Sequence, residues 1–348
     1  MTAPAVHGPA QLHGPARLYG PAALPGPRGP LSAAVLDALL RAPGSAHPEE
    51  WPPVAGVGPY SEDLHLALHL CYELHYRGLR GVATAWEWDP ELLRLRARLE
   101  REFMDGLRTD AAGGDDVTSE LDELLAEPVG GAGTSRRLAE SGEWWQMREY
   151  FVHRSVYHHK EADPHALVIP RLHGRAKASL VAVEYDEFGA GRAEDVHAQL
   201  FVDLLGGAGL EPGYLHYLDD VPAPAIAIVN MMSMFGLHRG LRGALVGHFA
   251  AAETTTAPSS RRMVQALERL RADPACVHFY SEHVEADAVH EQVMRRDVIG
   301  GLLDDEPELA PDVVLGIQAT GLLEDRLAHH LDTAWDRNTT SLLRPLDE

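Results

Sequence analysis

His283, Asp287 and His290 lie in the run FYSEHVEADAVHE, residues 279–291, separated by four and then three residues. At about 100° per residue, that spacing puts all three on one stripe of an α-helix. Two imidazoles and a carboxylate on one side are the donor types of an iron or manganese centre. Buried in a core without a metal, the same stripe would leave a charge without a partner at a cost of several kcal/mol. The stripe is therefore either wet or holds metal.

Other runs supply donors of the same kind. In VEYDEFGAGRAEDVHAQLF, residues 183–201, Glu194 and His197 form an E-x-x-H pair, the ligand unit of di-iron carboxylate bundles. Glu187 lies seven residues before Glu194 and shares its azimuth if the helix runs on. Glu62 and His65 in SEDLH repeat the pair. The motif is short, so for each copy a solvated helix face is the competing reading. Glu253 follows the small apolar run GALVGHFAAA, and would need a cation to stay ionised if buried there. Glu161, in YHHKEADPHALVIPRLHGRAK, sits beside a helix start, where a carboxylate needs no metal to explain it. Three or four Glu, one Asp and three His on separate helices match the ligand count of a two-metal site. One mononuclear site would leave several of these carboxylates unneutralised. The mixed oxygen and nitrogen set favours iron or manganese over zinc.

These donors need elements to hold them, and the periodicity is helical almost throughout. Helices are expected over about 31–41, 60–79, 90–108, 117–126, 143–160, 165–188, 192–206, 222–237, 239–255, 260–272, 277–303 and 309–334. Pro90 after Asp89 reads as a first-turn proline behind an Asp cap, and Pro164 after Asp163 repeats the signal. Gly189 and Gly191 predict a break or kink. The loop-like stretches 110–116 and 128–134 suggest an N-terminal helical region over 31–140 and a catalytic bundle over 141–335, with a C-terminal tail over 336–348. The Pro/Gly/Ala repeat of residues 1–30 is expected to be disordered. Residues 61–78 read as an amphipathic helix with Leu64, Leu68 and Cys71 on one side and Glu73 on a polar face. Residues 86–100 read as a capped, solvent-facing helix.

Composition narrows the partners. The chain has 348 residues, with 52 acidic against 30 basic side chains and a formal charge of −22. It lacks the basic footprint that nucleic acid or an anionic membrane requires, and no apolar run is long enough to span a bilayer. No secretory signal is expected, and two cysteines, Cys71 and Cys276, suggest reduced thiols in a cytoplasmic protein. Arg171, Arg175 and Lys177 are basic enough to meet a substrate carboxylate, although basic helix residues more often face solvent.

The runs HKEADPHALVIPRLHGRAKASLVAVEYDEFGAGRAEDVHAQLF, NMMSMFGLHRGLRGALVGHFAAAETTT and HVEADAVHE together resemble the heme-oxygenase-like diiron oxidases and oxygenases, in the subgroup of actinobacterial iron-containing redox enzymes. The resemblance covers about residues 143–305. It implies an all-α, heme-oxygenase-like bundle in which Glu161, Glu187, His197, Glu253, His283, Asp287 and His290 hold two iron ions, with Glu194 beside them as an extra metal-ligating carboxylate or as one that supports the ligands. Phe188 departs from the family pattern, which usually has Tyr there. The resemblance further implies O2 as co-substrate and oxidation of a small-molecule substrate by N-oxygenation, C–C cleavage or desaturation, with N-oxygenation of an amine or guanidine favoured. It also implies a final ligand helix that orders as metal binds. An electron donor is an expected partner. The N-terminal region is expected to pack on the bundle as the substrate mouth or as the face of a homodimer. The competing classes are a ferritin-like iron-binding protein using Glu62/His65 and Glu194/His197, and a metal-free helical module.

Overall fold

A computed structural model describes residues 20–44, 51–125 and 133–346, with the side chains of 285–288 excepted. The described chain is all-α. Its helices are α1 (Pro30–Leu39), α2 (Glu62–Glu73), α3 (Pro90–Asp110), α4 (Val117–Leu125), α5 (Thr134–Ser141), α6 (Trp144–His158), the single turn α7 (Asp163–Ala166), α8 (Gly174–Glu187), α9 (His197–Gly207), α10 (Ala223–Leu237), α11 (Arg242–Leu270), α12 (Pro274–Val293), α13 (Gly300–Asp305) and α14 (Ala310–Trp335). A π-helical segment, Met294–Ile299, joins α12 to α13. Among the described residues the extended pairing is one isolated bridge, Ala22 with Leu79.

The core is built around α11, which packs against α12 on one side and α14 on another. Gly247 and Gly316 allow the close approach of α11 and α14, because a Cβ at either would run into the carbonyl oxygen of Val313 or of Ala244. Helix α10 is buried on almost every side, which fits its largely apolar sequence, interrupted only by Asn230 and Ser233. One continuous hydrophobic core runs through both expected regions, from Leu31 to Leu342.

Several expectations are corrected. Helix α11 runs unbroken where two helices were expected, with Pro258 inside it. Pro258 has no N–H to donate, and nearby the hydroxyls of Thr254, Thr255 and Thr256 donate to carbonyls one turn back. Asp89 caps α3 through the amides of Glu91 and Leu92, as its sequence predicts. Asp163, in contrast, is the first residue of α7 and makes no cap. Helix α5 falls in a stretch to which no helix was assigned, and only its first residue, Thr134, belongs to the expected loop. Residues 20–29 are packed, not disordered: Gly26 N donates to Asp219 Oδ1, and Arg28 reaches Glu62 and the Leu218 carbonyl. The rest of the expected disordered tail, residues 1–19, lies outside the described residues, as do residues 128–132 of the expected dividing loop. The C-terminal tail is tied down by hydrogen bonds from Ser341 to Glu149 and from Leu343 N to the Asp220 carbonyl. Helix α2 is enclosed by neighbours, so its supposed polar face is interior as well. Both cysteines are buried free thiols, and no helix among the described residues is long and apolar enough to cross a membrane.

Candidate metal centre

The loop between α8 and α9 decides the first part of the centre. Glu187 is the last residue of α8 and His197 the first of α9. Two 3-10 turns, Gly189–Gly191 and Ala193–Asp195, fold back between them. Gly189 takes φ +72°, and a Cβ there would lie 2.6 Å from Val196 N, so this reversal requires glycine. The reversal brings His197 Nδ1 to 2.9 Å from Glu187 Oε2. Despite that distance, Nδ1 lacks hydrogen-bond geometry to any partner. A buried imidazole and carboxylate that converge without good hydrogen-bond geometry are what a shared cation would explain.

Glu161 arrives from the turn between α6 and α7, Glu253 from α11, and His283 and His290 from α12. They assemble into two triads: Glu161, His197 and His283; and Glu187, Glu253 and His290. In each triad the donor atoms lie within 4.8 Å of one another. Seven residues separate His283 from His290, a rise of roughly 10 Å along the helix. One helix therefore feeds both triads. All six side chains are buried, none more than 6% exposed, so the three carboxylates have lost most of their hydration. Oxygen and imidazole donors buried together fit iron.

Hydrogen bonds orient the donors. The Phe279 carbonyl lies 2.7 Å from His283 Nδ1 and accepts its N–H, which turns Nε2 toward Glu161 at 3.7 Å. His158 Nδ1 lies 2.7 Å from Glu161 Oε2. Burial alone would raise the Glu161 carboxyl, but His158 and His283 outweigh it and hold the group well below the usual carboxylate range. At His197, burial disfavours the imidazolium, yet Glu187 prevails and the pKa is raised. Burial pushes the Tyr157 phenol well above its ordinary value, reinforced by Glu161, Glu187 and Glu253.

A cavity of about 430 Å³ opens on this cluster, with Glu161, Glu187, Glu253 and His283 in its wall. Further along stand Tyr157, His248, Thr320, and Arg154 paired through two hydrogen bonds of 2.7 and 2.6 Å with Glu324. Thr320 donates its hydroxyl proton to the Gly316 carbonyl, so it accepts from His248 Nδ1 at 2.8 Å. Burial pushes His248 down to about 4, and its ring is neutral at pH 7.

The structure thus brings together six of the residues singled out in the sequence. The side chain of Asp287 lies outside the described residues, although the helix is continuous through it. Glu194 is not brought in: α9 begins only at His197, so the pair does not share a helix, and Glu194 is exposed on the preceding turn. Glu62 and His65 stand elsewhere. Glu62 binds Arg28 and the Ala223 amide, while the His65 ring packs edge-on against Phe103. Of the basic candidates, Arg171 donates to the carbonyls of Gly236 and Leu237 at the end of α10, and Arg175 pairs with Asp304.

The sequence reading missed three side chains beside the centre: His158, Asp186 and Glu184. The dense acidic run EYDE and the HHKE run were the available signals. Glu184 is buried, and neither of its oxygens has a hydrogen-bond partner. Burial, with Glu187 and Glu253 adding to it, pushes its carboxyl up to about 9. A folded-state value above the unfolded one costs stability wherever the unfolded chain would be ionised. The cost begins near the ordinary 4.5 and grows until about 9. Metal-free Glu184→Gln protein is accordingly expected to be more stable than wild type by about 3 kcal/mol at pH 7, with the gain gone by about pH 4. Urea unfolding across that range checks it, and a pH-independent difference would contradict it.

Residues 148–325, just over half of the chain, match the family described as iron-containing redox enzymes, and this stretch contains every residue of both triads. A nitrosourea synthase from Streptomyces achromogenes subsp. streptozoticus is 24% identical over 159 residues, 45% of this chain and 34% of that protein. The chain spans about a third of the length of this curated relative.

Proposed function

The chain belongs to the iron-containing redox enzyme family, and from that premise we propose that it is a nonheme diiron, O2-dependent oxidase or oxygenase of a small organic substrate. Its all-α architecture is consistent with the heme-oxygenase-like fold. The observation that carries the reading is the pair of buried carboxylate–histidine triads, joined where Glu187 meets His197 at 2.9 Å and opening on one cavity. Glu161, His197 and His283 would hold one iron. Glu187, Glu253 and His290 would hold the other, with Asp287 contributed by the same helix. Bound iron supplies the chemistry that reduces O2 and oxidises the substrate.

The remaining work belongs to the chain. Burial of the six donors keeps bulk water from the centre. His158 fixes one oxygen of Glu161, so that the other faces His283. Tyr157 Oη and the Glu184 carboxyl keep their protons at neutral pH, one in the cavity wall and one beside the second triad. The Arg154–Glu324 pair and neutral His248 offer the substrate polar contacts away from the metals. Inserting one atom of O2 while the other leaves as water needs two electrons from outside, so a reductant is an expected partner. A nitrosourea carries an oxidised nitrogen, which supports a small amine or guanidine as the substrate and nitrogen as the atom oxidised here.

Anaerobic Fe(II) titration is expected to load two irons per chain. The loaded protein should then consume O2 when offered a suitable member of an amine and amino-acid panel. Product mass separates N-oxygenation, which adds oxygen, from C–C cleavage and desaturation, which remove carbon or hydrogen. Fewer than two irons per chain would overturn the diiron reading. Iron uptake far above two, with no substrate-dependent O2 consumption, would favour a ferritin-like role instead.

A further inference from the structure

We propose that Asp186 is the positioning residue of the second triad, accepting the N–H of His290 Nε2 and so presenting Nδ1 of the same ring to the metal held with Glu187 and Glu253. The inference rests on the two-iron reading above.

The His290 ring lies between two sets of oxygens. Its Nε2 is 3.1 Å from Asp186 Oδ2, while its Nδ1 is 3.2 Å from Glu253 Oε2 and 3.7 Å from Glu187 Oε1. A neutral imidazole carries one N–H and one lone pair. A lone pair at Nε2 would face the Asp186 carboxylate and be repelled. A proton at Nε2 makes that contact a hydrogen bond and frees Nδ1 to act as a ligand. Histidines that bind metals commonly carry such an acceptor on the other nitrogen, fixing tautomer and ring orientation.

The helix explains how neighbouring residues reach opposite edges of one ring. Asp186 and Glu187 diverge by about 100° around α8, so Glu187 turns inward while Asp186 lies on the flank. The Asp186 side chain is 53% exposed, against 3% for His290. The tie therefore runs from the solvent edge of α8 to a buried ring on α12. His283 has the same device in a form that mutation cannot remove, since its Nδ1 is held by the Phe279 backbone carbonyl. At His290 the anchor is a side chain, which makes it testable.

The test uses the full chain and Fe(II) alone as probe, comparing wild type, Asp186→Ala and Asp186→Asn by anaerobic titration fitted to two sites, with metal-free thermal midpoints alongside. Asp186→Ala is expected to keep its midpoint and the wild-type affinity of one site, while the other weakens by about 10–100-fold. Asp186→Asn should recover most of that loss, because its amide oxygen accepts the same N–H. The proposal is overturned if Asp186→Ala binds both irons as wild type does or weakens both sites equally, or if Asp186→Asn is no better than alanine. A wild-type chain that fails to take two irons would instead defeat the diiron reading itself.

Discussion

Glu187→Ala protein is expected to hold at most one iron per chain and to lose turnover by more than the about 10–100-fold that removal of an outer partner costs at a metal site. The reason is the position of this carboxylate between the triads. Oε2 approaches His197 of one triad at 2.9 Å, and Oε1 approaches His290 of the other at 3.7 Å. Alanine removes a donor from the second triad and takes from the first the charge that raises the pKa of His197 against its burial. Glu187→Gln separates charge from shape, since it keeps the volume and one oxygen. It should bind iron better than alanine and worse than wild type. Metal analysis after anaerobic loading, with O2 uptake on the same samples, checks both variants. A Glu187→Ala chain that carries two irons and turns over normally would remove Glu187 from the ligand set.

The second large effect concerns stability. Lys160 and Glu73 form an ion pair of 2.5 Å in which neither side chain is more than 1% exposed. The other Glu73 oxygen accepts from Tyr214 at 2.8 Å, and the Lys160 ammonium stands 4.6 Å from the centre of the Tyr76 ring. Removing one partner leaves an uncompensated buried charge, so Glu73→Ala is expected to cost about 3–5 kcal/mol. The double variant Glu73→Leu/Lys160→Met should recover much of that loss, because it leaves no orphan charge and keeps the volume filled. Urea unfolding of the metal-free chains measures both. A Glu73→Ala loss below about 1 kcal/mol would mean that Lys160 finds another partner or water. Lys160 directly precedes Glu161, so this pair also anchors the turn that delivers a donor to the centre.

Glu73 shows where the sequence reading stopped. Periodicity assigns it to a polar face of α2, and it does lie on a helix. Whether that face meets water or other helices depends on elements far away in the chain, here the Lys160 turn and Tyr214. Glu194 shows the same limit within a short stretch. Its E-x-x-H spacing has meaning only if the helix is continuous, and the reversal at Gly189 ends α8 before the pair is reached. The residues beside the centre were hidden for a related reason. His158 and Asp186 each touch a donor in the assembled fold, but single acidic or histidine residues in EYDE and HHKE carry no spacing signal.

By itself, the sequence determined the all-helical class, the Asp89 cap, the break at Gly189 and the donor types. It also put His283 and His290 on one helix stripe, because helical azimuth follows from spacing alone. Which donors come together in a candidate triad was decided only by the tertiary structure. His283 faces Glu161 and His197, while His290 faces Glu187 and Glu253, because donors from different elements meet only where packing and loop geometry place their side-chain atoms within reach. Packing along α11 is long-range and aperiodic, and no local pattern encodes it; the glycines predict a break at Gly189, but not that it folds His197 back onto Glu187.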